Sequence, residues 1–221
     1  MNELSDDALM RRYQDGDSDA FDQLFIRHAR DLHIALCGLS GRQEAAAGLS
    51  IQTWQRVCRL RHAFDGTQPF RSWLFSHATY VRREQARPQS VTASQPGEPR
   101  PITDGASLLH ALCALPDSYR EVVVLQRYVG LTHAEIASVL GASEEAVLQR
   151  GRQGEQLLVQ SHGEVPSKSL ISVMPTTLDH IARSILPIVS QPRPSPVPLS
   201  LVLSCLVFGL GLVLLLVRLH R

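Results

Sequence analysis

Seven arginines fall between residues 56 and 87: Arg56, Arg59, Arg61, Arg71, Arg82, Arg83 and Arg87. Only Asp65 and Glu84 oppose them, so the stretch carries a net charge of +5. A guanidinium is permanently charged and offers paired N–H donors to phosphate oxygens, so this density suits an anionic partner better than a merely solvated face. The flanks are acidic. Residues 1–50 carry nine acids against five arginines, and residues 117–158 carry six against four. The whole chain is only +1, which excludes a generally basic nucleic-acid coat. Enzyme chemistry has no comparable support, because there is no Gly-rich phosphate loop, nucleophile elbow or paired-carboxylate motif. His33 and Cys37 lie one helical turn apart, but no third or fourth ligand stands at metal-binding spacing, so no metal and no cofactor is expected.

A second constellation runs from Leu115 to Leu158. Pro116 and Asp117 open a helix whose apolar face is Val122, Val123, Leu125 and Val129, and Gly130 ends it. Thr132 and Glu135 have the spacing of a capping box for the next helix, which turns Ile136, Ala137 and Leu140 inward. Gly141 turns the chain, Ser143 caps a last helix beginning Glu144-Glu145, and Val147 anchors it. A small residue, a turn glycine and a branched apolar anchor in this order make a helix-turn-helix, whose last helix is placed to enter a DNA major groove. The same pattern also fits a plain helical bundle. Gly151 and Gly154 are expected to loosen the end of that helix.

These residues need a scaffold, and the remaining periodicity is helical throughout. A short helix is expected from Ser5 to Tyr13. A longer one, capped by Ser18, carries the stripe Phe21, Leu24, Phe25, Leu32, Leu36 and Leu39. Two more run from about Gln43 to Arg61 and from about Phe70 to Arg87. The expected fold is all-α. It comprises a helical bundle over 1–87, a Pro-rich linker over 88–106, the helix-turn-helix domain over 107–160 and a tether over 161–198. Within the tether, Leu178, Ile181, Ile185 and Leu186 form a short apolar patch suited to lie on a surface. Cys37, Cys58, Cys113 and Cys205 show no paired spacing, which predicts a reduced setting.

The last element is a membrane anchor. Leu199 to Val217 is nineteen residues without a charge. As a helix it would be ~28 Å long, against a hydrocarbon thickness of roughly 30 Å. Pro198 marks its start and Arg218, His220 and Arg221 its end, with no polar stripe between. A DNA-reading domain must stay in the cytosol, which places the chain on the cytoplasmic face of the cell membrane.

Two helical domains, a basic Trp-containing helix, a Pro-rich linker and a terminal helix-turn-helix together resemble a sigma-70 family RNA polymerase sigma factor of the compact extracytoplasmic function (ECF) class. FRSWLFSHATYVRREQAR resembles the family's basic region 2 helix, and LPDSYREVVVLQRYVGLTHAEIASVLGASEEAV resembles its region 4. The likeness covers roughly residues 5–158. It implies core RNA polymerase and promoter DNA as partners, with an anti-sigma factor as a further one. It implies phosphate contacts from Arg61, Arg71, Arg82, Arg83 and Arg87. Aromatic contacts to unstacked bases would come from Phe70, Trp73 and Tyr80, although Trp73 reads first as a core residue. Major-groove contacts would come from Ser143, Glu145, Gln149, Arg150 and Arg152, and polymerase contacts from Leu49, Gln52 and Trp54.

Two runs depart from the family pattern. The acidic edge of the polymerase-binding helix is replaced by Ala45-Ala46-Ala47-Gly48. The recognition helix reads Glu145-Ala146-Val147-Leu148-Gln149-Arg150, in which only Arg150 keeps a basic position. These departures motivate a second reading, a membrane-anchored sigma-like interaction protein that no longer reads promoters.

Overall fold

The helix starts follow from their caps. In the computed structural model, which describes residues 4–85, 102, 105–162 and 180–185, Ser5 accepts the Ala8 amide at 3.2 Å and opens α1 (Asp6–Gln14). Asp17, rather than the expected Ser18, caps α2 (Ser18–Ser40), because its carboxylate reaches the Asp19 and Ala20 amides. Gly41, at φ 67°, closes α2 in the left-handed conformation. α3 (Gln43–Arg59) follows, then a 3-10 turn and α4 (Phe70–Gln85). These helices share an aromatic core. Phe21 packs edge-on to Trp54, and Phe70 and Trp73 both meet Phe64.

α5 (Gly105–Ala114) begins inside the expected linker; Gly105 and Ile102 are buried. α6 (Asp117–Val123) passes into a π-helical turn, Val124–Val129, which Gly130 ends at φ 76°. α7 (His133–Leu140) has its Thr132–Glu135 capping box, and Ser143 accepts the Ala146 amide at the start of α8 (Glu144–His162).

Two further expectations change. α8 does not loosen at its glycines. A Cβ on Gly154 would lie 2.6 Å from Val123 Cγ2, and one on Gly151 would lie 3.4 Å from Val122 Cγ1 and 2.9 Å from Gln126 Oε1 of the π turn, so the two glycines let α8 lie close against α6 and the turn that follows it. Ile181 and Ile185, expected on a surface, are buried in a helical turn at 180–185.

The described residues contain no strand and belong to one compact unit, Met1–Val189. α2 and α4 pack against α5, α6, the π turn and α7. Glycines on α2 seat the second half: Val124 and Leu112 fill the space beside Gly38, and the Cys113 thiol fills the space beside Gly41. No described helix is long and apolar enough to cross a membrane, and the Leu199–Val217 segment lies outside the described residues.

Candidate nucleic-acid interface

α4 carries its basic residues at the C-terminal end, where cations also complement the helix dipole. They face α6. Arg82 donates to Glu121 Oε1 at 2.6 Å and to Asp117 Oδ2 at 3.1 Å. Arg83 grips the same Glu121 through both oxygens, at 3.0 and 2.6 Å. Arg82 and Glu121 are only 7% and 4% exposed. Burial alone would raise the Glu121 carboxyl, but the Arg83 and Arg82 hydrogen bonds outweigh it and hold the group below the usual carboxylate range. The Glu121 partnership in turn raises Arg83. At the other end of α4, Arg71 donates to the Val129 carbonyl at the close of the π turn and lies 3.6 Å from Asp31.

The α3–α4 face holds a second cluster. The Arg56 guanidinium sits 4.0 Å above the Tyr80 ring and donates from Nε to His77 Nδ1 at 3.3 Å. Burial, with Arg56 alongside, pushes His77 down to about 4. The Tyr80 ring is 46% exposed.

In the helix-turn-helix, Val147 is fully buried, and the polar side of α8 looks outward. Glu145, Gln149 and Arg152 are exposed and Arg150 is half-buried. Ser143 is exposed, and its hydroxyl serves the cap.

This second half, residues 106–158, matches the family model described as "Sigma-70, region 4". Over a longer span the chain is 31% identical to the RNA polymerase sigma factor CarQ of Myxococcus xanthus, covering 71% of this chain and 97% of that protein. The chain belongs to the RNA polymerase sigma factor family. Within it the ECF class fits: the ECF sigma factor SigM of Mycobacterium tuberculosis is 30% identical, over 67% of this chain and 80% of SigM. The solved structure of CnrH in complex with the cytosolic domain of CnrY matches the fold with a TM-score of 0.59 at 27% identity, covering 70% of this chain and 95% of CnrH.

The sigma-factor residues expected from sequence divide by burial. Phe70 and Trp73 are core residues that brace α4, and neither presents a ring face to solvent. Leu49 and Trp54 are likewise core, Trp54 lying among Phe21 and Phe25, which leaves Gln52 as the exposed member of the polymerase-binding set; it accepts from Gln85 on α4. Arg61 donates to the Cys58 carbonyl at 3.1 Å and lies over Tyr13. Arg87 lies outside the described residues. Sequence reasoning missed Asp117 and Glu121 as partners of the basic helix. The one available signal was that the +5 stretch is followed by an acidic one.

His33 and Cys37 are buried, and their polar atoms are satisfied by packing. The Ser50 hydroxyl donates to the Ala46 carbonyl, so it accepts from His33 Nδ1, and the Cys37 thiol then donates to His33 Nε2 at 3.6 Å. Burial pushes Cys37 up to about 12 and lowers His33, so both are neutral. Among the described residues no three metal-ligating side chains gather.

Proposed function

We propose that this chain is a sigma factor that binds core RNA polymerase and directs promoter-specific initiation. The observation that carries the reading is the similarity to CarQ, a named sigma factor, across 97% of that protein's length. The two halves have the matching parts: a basic helix, α4, and a helix-turn-helix whose last helix exposes Glu145, Gln149 and Arg152. In this reading Arg71, Arg82, Arg83 and Arg87 neutralise promoter phosphates, Tyr80 offers a ring to an unstacked base, and α8 lies in the major groove. Purified chain mixed with core polymerase should yield discrete transcripts from a subset of promoters in a genomic library. A chain that never co-purifies with core polymerase would falsify the proposal.

The reading extends to location. Residues 199–217 form a single membrane-spanning anchor that keeps the rest on the cytoplasmic face, and the Pro-rich residues before it act as a tether. Full-length chain should pellet with membranes and resist carbonate extraction, whereas a chain ending at Gln191 should stay in solution. Full-length chain recovered in the soluble fraction would end this part of the proposal.

A further inference from the structure

The arginines best placed for promoter phosphate are already occupied from within. We propose that Asp117 and Glu121 form an internal latch, which withholds Arg82 and Arg83 from DNA until the two halves of the chain separate. The inference rests on the reading of those arginines as phosphate contacts.

The chemistry of the contact is that of a phosphate site. Glu121 takes Arg83 in a two-point grip and Arg82 through a third hydrogen bond, and Asp117 adds a fourth. Carboxylate and phosphate oxygens compete for the same planar fork of donors. Glu121 is 4% exposed, so a DNA strand cannot reach the bonded face of Arg82 while α6 covers it.

The latch belongs to a longer seam. Arg71 is tied to the Val129 carbonyl, the Ser138 hydroxyl donates to Gln68 Oε1 at 3.0 Å, and Val124 and Cys113 occupy the glycine seats on α2. The three arginines of α4, Arg71, Arg82 and Arg83, therefore all bond to the second half. In such an equilibrium the apparent DNA affinity is the intrinsic affinity multiplied by the open fraction. Removing the two carboxylates should raise that fraction.

The test uses the full-length chain. Asp117→Asn with Glu121→Gln keeps shape and removes charge, and should tighten fork-DNA binding at least fivefold. Closure is read separately. With Cys113 and Cys205 replaced by Ser, Gln68→Cys and Ser138→Cys place two thiols across the seam within reach of dibromobimane. Bridging should be efficient in the parent, and the bridged chain should lose most of its fork-DNA binding. The Asp117→Asn, Glu121→Gln pair should lower the bridging yield. Unchanged DNA affinity in the charge-neutral pair, or full DNA binding by the bridged chain, would overturn the latch. An affinity gain that survives Arg82→Ala with Arg83→Ala would overturn it too, since the gain would then come from lost negative charge elsewhere. A chain that fails to bind core polymerase yet shows the fivefold gain and the bridging pattern would remove the sigma-factor reading and leave the latch standing.

Discussion

The two helices that this chain offers to nucleic acid differ in who holds their polar side chains. On α4 the arginines are paired with the other half of the chain, Arg82 buried there and Arg83 still half exposed. On α8 the polar face is open to solvent, and only Val147, Gly151, Gly154 and Leu158 are buried. The difference is one of charge. α4 belongs to a +5 stretch and finds a carboxylate partner on α6, while the second half, with more acids than arginines, has little attraction for phosphate of its own. The helix with the greater capacity for DNA is thus the one whose arginines are already paired.

The sharpest way to probe this contrast is Arg82→Ala with Arg83→Ala. It strips Glu121 of its partners at a buried position, which costs the closed arrangement about 3–5 kcal/mol. The halves should separate, visible as a larger radius in small-angle scattering, and the salt slope of fork-DNA binding should fall by about two units. Arg150→Ala should lower that slope by no more than about one and leave the radius unchanged. An equal or larger loss from Arg150→Ala would reverse the assignment of DNA affinity to α4.

Gly154→Val addresses the support of α8. The added side chain would meet Val123 and Tyr119, so overpacking should destabilise the chain by about 1–3 kcal/mol in urea unfolding. A neutral outcome would mean that α8 is not seated on α6 as described.

Acid acts on the α4 side. His77 stays neutral in the folded chain down to about pH 4, whereas the unfolded ring takes a proton near 6.5. Above about 6.5 His77 contributes no slope; between there and about 4, stability falls as the pH drops. The loss from His77 should be about 1–2 kcal/mol, less than full linkage because the ring is partly exposed. Glu121 adds to the same trend, since a carboxyl held low gives stability that is lost as pH falls through its folded value. Urea midpoints at pH 7 and 4.5 should show the fall. His77→Gln should reduce it without abolishing it, because His33 is lowered by burial as well.

The smallest effect is expected from Gly48→Ala on α3. Nothing lies within 4 Å of the added carbon, so the change should stabilise α3 by about 0.5–1 kcal/mol and leave DNA binding unaltered. A loss of polymerase binding in this variant would place Gly48 itself at the polymerase surface.

Much of this protein was legible in the residues because it is local. Ser5, Thr132–Glu135 and Ser143 cap their helices by bonds that span three residues, and Gly41, Gly130 and Gly141 end theirs by a single dihedral. Such interactions depend on neighbours in the chain, so helix order, the helix-turn-helix and the family likeness could all be read without coordinates. The uncharged run at 199–217 is readable for the same reason, from composition alone.

What sequence could not supply is pairing at a distance. Arg82 and Glu121 stand 39 residues apart across the Pro-rich stretch, and no local rule brings them together. The same limit explains Gly151 and Gly154. Propensity marks them as weak points, but the close crossing of α6 makes them the residues that fit. Helical spacing already marks Leu49, Trp54 and Trp73 as core, and they are buried; Phe70 could be assigned to a base by position in a motif, yet only packing shows its ring turned inward. Residue types and local order established which groups can bind phosphate. The tertiary fold decided that Arg82 and Arg83 bind carboxylate first, because burial strengthens an ion pair only where a partner of opposite charge is carried to it.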